Sequence, residues 1–267
     1  MKNEELKNIV KGKYSEIAEQ NKQQNETSCC GSGCGCGNVE YTVFSEDYKN
    51  IQGYNPDADM GLGCGIPTQF ANIKLNDTVL DLGSGAGNDC FVARSIVGEN
   101  GKIIGLDFTD IMIEKANKNV AKLGFKNISF IKGDIEQMPV ESGSVDVVIS
   151  NCVLNLVPDK QKAFSEIFRI LKQDAHFCVS DVVIVGELPE HIRKSAELYA
   201  GCVSGAVQKN EYVDFIKKAG FKNVQIHKEK QVEIPDSTLE MIFSKEELIK
   251  FKESKVGIYS ITVSAVK

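Results

Sequence analysis

Hydrophobic and polar residues divide this chain into short apolar runs and longer amphipathic segments. Apolar runs typical of buried strands lie at residues 79–82, 102–107, 128–131, 145–150 and 176–184. The segments between them carry apolar residues at helical spacing, at residues 88–97, 111–123 and 159–171. Strands that alternate with helices of this length predict an α/β fold, with a mainly parallel sheet and helices on both faces.

The two ends of the chain extend this pattern. Residues 3–20 predict an N-terminal helix with Ile9, Tyr14 and Ile17 or Ala18 on one side. A helical stretch over 186–205 does not fit the alternation and predicts an insertion. A helix over 212–219 should end at Gly220, and the runs at 222–233 and 257–266 predict two final strands, with an antiparallel pair.

These elements predict three units along the chain. Residues 1–70 should form an N-terminal helix and a Cys-rich segment. Residues 71–185 should form a Rossmann-like core, and residues 186–267 a helical insertion followed by the strands that complete the sheet.

Composition narrows the class of protein. The net charge of −6 argues against a nucleic-acid partner, because phosphate affinity comes from clustered Lys and Arg. The chain has no apolar run of about 18 residues, and its polar start lacks the apolar region of a signal peptide. We therefore expect a soluble, cytoplasmic protein without a membrane partner.

A glycine-rich turn follows the first predicted strand. It reads Asp81-Leu82-Gly83-Ser84-Gly85-Ala86-Gly87, and Asp107 ends the second strand. Glycines there let a ligand approach the backbone at the carboxyl edge of the sheet. The third glycine comes one residue too early for a dinucleotide fingerprint, which favours a nucleoside ligand without pyrophosphate. A turn that binds nothing is the alternative, and the acids at 81 and 107 disfavour it.

Nine cysteines are unusual for a cytoplasmic protein, where metal binding or redox chemistry is a better expectation than structural disulfides. Cys64 precedes the core, Cys152 follows the fourth strand, and Cys202 lies in the predicted insertion. We expect these three to surround one cleft, and Cys90 and Cys178 to be core residues. The remaining four form one cluster, Cys29, Cys30, Cys34 and Cys36.

That cluster lacks the paired C-x₂-C spacing of structural zinc sites. A flexible thiol-rich segment that relays metalloid or electrons is the preferred interpretation, and an unstructured tail is the alternative.

The successive segments DLGSGAG, GLD, KGDIEQMP and SNCV resemble the motifs of class I S-adenosylmethionine methyltransferases, whose sheet has seven strands. The resemblance implies S-adenosylmethionine as the cofactor. It also implies that Asp134 and Ile135 flank the adenine, that Asp107 contacts the ribose and that Asn151 lies on the side of the methionine carboxylate. Residues implied near the methionine portion are Asp81, Gly83, Ser84, Gly85 and Gly87.

The segments LGCG, SNCVLNLVPDK, SDVV and AGCVSGA further resemble the arsenite methyltransferases, over nearly the whole chain. This resemblance implies that Cys152 and Cys202 ligate As(III) delivered as an adduct of glutathione or a similar thiol. Cys64, with an undecided partner from the 29–36 cluster, would supply two electrons, and a small thiol or a thioredoxin-like protein would reduce the resulting disulfide. The arsenic lone pair attacks the methyl group, so no general base is required.

Two other functions stay open. A C- or O-methyltransferase of the quinone or sterol type would share the cofactor half but would not need the three thiols. A metalloid-binding protein without turnover would bind arsenite and release no product. One departure from the family is visible, because Leu171-Lys172-Gln173-Asp174-Ala175 replaces the usual Leu-Lys-Pro-Gly-Gly and should alter the turn into the fifth strand.

Overall fold

The computed structural model describes residues 3–19, 46–188, 205–232, 244–254 and 256–267. Its strands form one seven-stranded sheet in the order β3-β2-β1-β4-β5-β7-β6. The bounds of the strands are β1 Thr78–Leu82, β2 Lys102–Asp107, β3 Ile128–Lys132, β4 Val145–Asn151, β5 Leu171–Val185, β6 Lys222–Gln231 and β7 Gly257–Val266. Strands β1 to β5 pair in parallel, whereas β7 is antiparallel to both β5 and β6.

Helices connect and cover these strands. They are α1 Asn3–Glu19, α2 Asn88–Val97, α3 Asp110–Leu123, α4 Lys160–Ile170, α5 Lys209–Lys218 and α6 Lys245–Glu253. Asp159 caps the start of α4 by accepting a hydrogen bond from the backbone N–H of Lys162, and the αL residue Gly124 ends α3. Within the described residues, the element types and most of the bounds predicted from the sequence are confirmed.

The core lies on both faces of the sheet. Leu80 packs in a cluster with Phe164 of α4 and Tyr212 of α5, whereas its neighbour Val79 packs in another cluster with Phe91 of α2. Leu80 and Val79 belong to different clusters because successive side chains of a strand point to opposite faces of the sheet. The predicted α/β fold with helices on both faces is confirmed.

The structure differs from the sequence predictions at three places. Strand β5 begins at Leu171 rather than at residue 176, because the segment predicted as a turn pairs with β4 through an irregular register, with Asp174 at a φ of +61°. Helix α6 was not predicted. In α1 it is Val10 and Tyr14 that face a cavity, while Ile9 is exposed.

Two predicted features lie outside the described residues. These are most of the helical insertion, which includes Cys202, and the cysteine cluster at 29–36. Among the described helices, none is both long and apolar enough to cross a membrane.

Candidate functional site

One cavity opens at the carboxyl edge of the parallel strands. The cavity is lined by the loops after β1, β2, β3 and β4. Helix α1 contributes Lys7, Val10 and Tyr14 to the lining. Of the residues predicted to bind the cofactor, those that line this cavity are Asp81, Gly83, Ser84, Gly85, Asp107, Asp134, Ile135 and Asn151. Residues distant in sequence are thus brought together as expected for this type of sheet.

The glycine turn forms the floor of the cavity next to β1. Gly83 has a φ of +65°, and a Cβ added there would lie 2.4 Å from a methyl carbon of Val153. A side chain at this position would therefore be strained and would clash. Gly87 also has a positive φ, of +98°, and a Cβ there would lie 2.8 Å from the ring of Phe130.

Asp107 stands at the end of β2 with its carboxylate held in place. Its Oδ1 accepts hydrogen bonds from the backbone N–H (2.9 Å) and the hydroxyl (2.6 Å) of Thr109, and its Oδ2 accepts one from the backbone N–H of Gly85 (3.0 Å). Burial raises the pKa of Asp107, and these hydrogen bonds oppose the rise. The remaining acceptor capacity of the carboxylate is available to hydroxyl donors in the cavity.

Two further carboxyl groups, those of Asp81 and Asp89, line the same cavity. Burial raises the pKa of Asp81 well above its usual range, and the negative charge of Asp89 raises it further. Burial likewise raises the pKa of Asp89 to about 6, although hydrogen bonds from Tyr48 and Asn151 oppose it. A cationic group bound beside this pair would compensate their charge.

Two buried polar atoms in the cavity wall test whether a polar ligand fits. The hydroxyl of Ser84 and the side-chain oxygen of Asn88 have no hydrogen-bond partner among the described residues. An unsatisfied buried polar group is costly, so a ligand that bonds to both would be favoured. A ligand with hydroxyl, amino and cationic groups therefore fits this cavity.

Asp134 and Ile135 line the cavity from the loop after β3, and this loop contacts α1. The Asp134 carboxylate accepts a hydrogen bond from Lys7 (2.6 Å) and another from the backbone N–H of Glu136 (2.9 Å). Lys7 also bonds to Glu136 (2.5 Å), so α1 is attached to the loop after β3. The predicted contact of this loop with adenine stays a prediction.

Cys152 directly follows β4 and lines the same cavity. It is only 2% exposed, has a φ of +60°, and belongs to an apolar cluster with Cys64, Val182 and Ile258. Cys64 is also 2% exposed, and its neighbours Leu62 and Gly63 line the cavity. Two of the three predicted acceptor thiols thus belong to one cluster, and of these two Cys152, but not Cys64, lines the cavity.

The remaining described cysteines occupy core positions. Cys90 and Cys178 have no exposed surface, and the Cys90 thiol donates a hydrogen bond to Asp81 (3.2 Å). Burial raises the pKa of both thiols, to about 12 for Cys178. Low-reactivity core thiols are what the sequence predicted here. Within the described part of the chain, no group of three or more His, Cys, Asp and Glu side chains is arranged to hold a metal ion.

Tyr48, Asp89 and Lys7 line the cavity but were not predicted from the sequence. Asp89 follows the glycine turn by two residues and was a possible candidate on that ground. Tyr48 and Lys7 lie in segments without a motif, and only the folded chain brings them to the cavity.

Comparison with known proteins assigns the family. The family model described as a methyltransferase domain matches residues 73–220, which is more than half of the chain. The arsenite methyltransferase of Halobacterium salinarum is 39% identical over 236 residues, covering 84% of this chain and 59% of that protein. The human arsenite methyltransferase is 37% identical over 211 residues, covering 73% and 55%.

A solved structure agrees with these matches. The arsenic(III) S-adenosylmethionine methyltransferase from Chlamydomonas reinhardtii superposes with a TM-score of 0.65 at 34% identity, covering 77% of this chain and 67% of that one. The chain therefore belongs to the methyltransferase-domain family and, within it, to the family of the arsenite methyltransferases. S-adenosylmethionine, the cofactor expected from the sequence, is confirmed at the level of the family. The chain spans only 49 to 59% of the length of the first curated relatives it matches.

Proposed function

We propose that this chain transfers methyl groups from S-adenosylmethionine to As(III) held by cysteine thiolates, and that it serves in arsenic detoxification. The observation that carries the proposal is the position of Cys152, which lines the same cavity as Asp81 and Asp107. A soft thiol ligand beside a nucleoside-binding turn suits a soft, thiophilic acceptor. An organic acceptor would not need a thiol ligand at this position.

The residues that would hold the cofactor follow from the cavity wall. Asp107 would accept hydrogen bonds from the ribose hydroxyls, and Asp81 with Asp89 would compensate the positive charge of the methionine portion. The hydroxyl of Ser84 and the oxygen of Asn88 supply further polar contacts. When bound, the cofactor supplies an electrophilic methyl group that the lone pair of As(III) can take without loss of a proton.

Cysteine thiolates would hold the acceptor. In exchange with an arsenic–glutathione adduct, each new As–S bond replaces an old one, and the proton of the protein thiol passes to the departing glutathione thiolate. Cys152 and Cys202 are the proposed direct ligands. Methyl transfer oxidises arsenic by two electrons, and Cys64 with a partner among residues 29–36 would return them as a disulfide forms. A small thiol or a thioredoxin-like protein would then reduce that disulfide.

One assay separates this function from its two alternatives. Purified protein is incubated with arsenite, glutathione and methyl-labelled S-adenosylmethionine, and labelled arsenic species are measured together with S-adenosylhomocysteine. The proposal predicts one S-adenosylhomocysteine for each methyl group found on arsenic. Methylation of a quinone or a sterol in place of arsenite, or arsenite binding without S-adenosylhomocysteine, would overturn the assignment.

A further inference from the structure

The side-chain amide of Asn151 lies between the cofactor cavity and the loop that carries Cys64. Its Oδ1 accepts a hydrogen bond from the backbone N–H of Cys64 (2.9 Å). Its Nδ2 lies within hydrogen-bond distance of the Gly65 carbonyl oxygen (2.8 Å) and of Oδ2 of Asp89 (3.1 Å). One amide thus binds the Cys64 loop on one side and a cavity carboxylate on the other.

Tyr48 closes this network from a different segment. Its hydroxyl lies 2.8 Å from Oδ1 of Asp89, 3.0 Å from the Gly65 carbonyl oxygen and 2.9 Å from Nδ2 of Asn151. The residue is 5% exposed, and its ring packs against Ile66. The Tyr48 side of the network is therefore buried, where hydrogen bonds are stronger, whereas Asn151 and Asp89 are partly buried.

The Cys64 loop has little room to move independently of its supports. A Cβ on Gly63 would lie 2.7 Å from Nδ2 of Asn151, and a Cβ on Gly65 would lie 2.5 Å from the hydroxyl of Ser180. The hydroxyl of Ser260 also donates a hydrogen bond to the Cys64 carbonyl oxygen (2.5 Å). The loop backbone thus rests directly on Asn151 and on the sheet.

Tyr48, Asp89 and Asn151 all line the cavity as well. A cationic ligand bound there would attract the Asp89 carboxylate and fix its position. Hydrogen bonds to an ionised acceptor are roughly twice as strong as neutral ones, so Tyr48 and Asn151 would be held in place together with this carboxylate. Because Asn151 also bonds to the Gly65 carbonyl oxygen and to the Cys64 backbone N–H, ligand binding would tighten the loop through its amide.

We propose that Tyr48 and Asp89 are positioning residues that couple occupancy of the cofactor cavity, through Asn151, to the placement of the Cys64 thiol. The coupling would hold Cys64 in place when the methyl donor is bound and loosen it after the cofactor leaves. The inference rests on the proposed function in one respect only: both take S-adenosylmethionine as the ligand of the cavity. Arsenic methylation itself is not required.

The test measures how S-adenosylmethionine changes the alkylation rate of Cys64. Calorimetry first fixes a saturating cofactor concentration for each variant. Iodoacetamide labelling is then followed by peptide mass spectrometry, with and without cofactor, in the wild type and in Tyr48→Phe. Tyr54→Phe is the matched control, because it removes a phenol of the same segment whose hydroxyl donates a hydrogen bond to Asp59 (3.1 Å).

The wild type should show about tenfold slower alkylation of Cys64 when the cofactor is bound, a ratio within the usual range of coupling between two sites. In Tyr48→Phe the ratio should fall below about twofold, and in Tyr54→Phe it should stay at the wild-type value. Cys178 reports global opening in the same digest, and its protection by cofactor should persist in Tyr48→Phe. Asp89→Asn should also lose the protection of Cys64 from alkylation by bound cofactor. If Tyr48→Phe does not fold, Asp89→Asn alone provides the test.

Equal protection of Cys64 in the wild type and in Tyr48→Phe would overturn this inference, as would an equal loss in Tyr54→Phe. Absence of cofactor binding to the wild type would overturn both the inference and the proposed function. Cofactor binding with coupled Cys64 protection but no arsenite methylation would support the inference while removing the proposed acceptor.

Discussion

The backbone N–H of Cys152 donates a hydrogen bond to the carbonyl oxygen of Ser180 (2.8 Å), and Cys152 itself has a φ of +60°. A positive φ is uncommon for a residue with a side chain, and such strain is frequent at functional sites. This bond extends the pairing of β4 with β5 one residue beyond Asn151. It holds the strained residue at the end of the sheet, where Cys152 lines the same cavity as Asp81 and Asp107.

Ser180 also limits the space available to the Cys64 loop. Gly65→Ala would place a Cβ 2.5 Å from the Ser180 hydroxyl, so we expect a loss of about 1–3 kcal/mol in the free energy of unfolding, measured by urea denaturation. Gly12→Ala adds the same methyl group to α1 with nothing within 4 Å, and it should be neutral or stabilising by up to about 1 kcal/mol. Equal stability of the two variants would contradict this packing account.

The Asp107 carboxylate predicts a specific loss of cofactor affinity. Asp107→Asn weakens the acceptor for ribose hydroxyls, so the dissociation constant of S-adenosylmethionine, measured by calorimetry, should rise between about 10-fold and 100-fold. S-adenosylhomocysteine should lose affinity equally, because both ligands carry the ribose. Asp110→Asn is the control, since Asp110 is exposed and bonds to Lys132 outside the cavity. An unchanged affinity in Asp107→Asn would refute the role in ribose binding.

Much of the lining of this cavity could be predicted from sequence, because it is local. Asp81 and the glycine turn lie in one strand–turn–helix unit, and Asp107 ends the next strand. In a parallel sheet, the ends of neighbouring strands meet at one edge, so position in the sequence is enough to place them.

The missed features depend on contacts between distant segments. Tyr48 reaches Asn151 across 103 residues, and Lys7 reaches Asp134 across 127. No periodicity or spacing encodes such contacts. Strand β5 begins earlier than predicted because Asp174 takes a left-handed φ within an irregular pairing with β4. The sequence Gln-Asp-Ala does not predict this conformation.

Asp181 predicts a pH dependence of stability. Burial raises its pKa to about 6, although hydrogen bonds from the Tyr212 hydroxyl (2.8 Å) and the Val182 backbone N–H (2.9 Å) oppose the rise. Between about pH 4 and 6 the folded protein therefore binds this proton more tightly than the unfolded chain does. The stability that Asp181 contributes is highest below about pH 4 and falls as the pH rises through about 6, by about 3 kcal/mol in all.

Asp181→Asn removes this titration. We therefore expect Asp181→Asn to become more stable relative to the wild type as the pH rises from 4 to 7. Urea denaturation measures the unfolding free energy of both proteins at each pH. The other carboxyl groups are the same in both proteins, so their contribution to the pH dependence cancels in the difference. Parallel pH profiles would show that Asp181 does not carry this effect.

The central claim is that Cys152 holds arsenic beside the bound methyl donor, and the most direct measurement is the rate of methyl transfer to arsenite by Cys152→Ala. Cys178→Ala is the matched control, because it deletes the same atoms from a core thiol in the neighbouring strand. Calorimetry should show that both variants still bind S-adenosylmethionine. We predict a background rate of arsenite methylation for Cys152→Ala and a rate close to wild type for Cys178→Ala. Methylation of arsenite by Cys152→Ala at the wild-type rate would contradict the account.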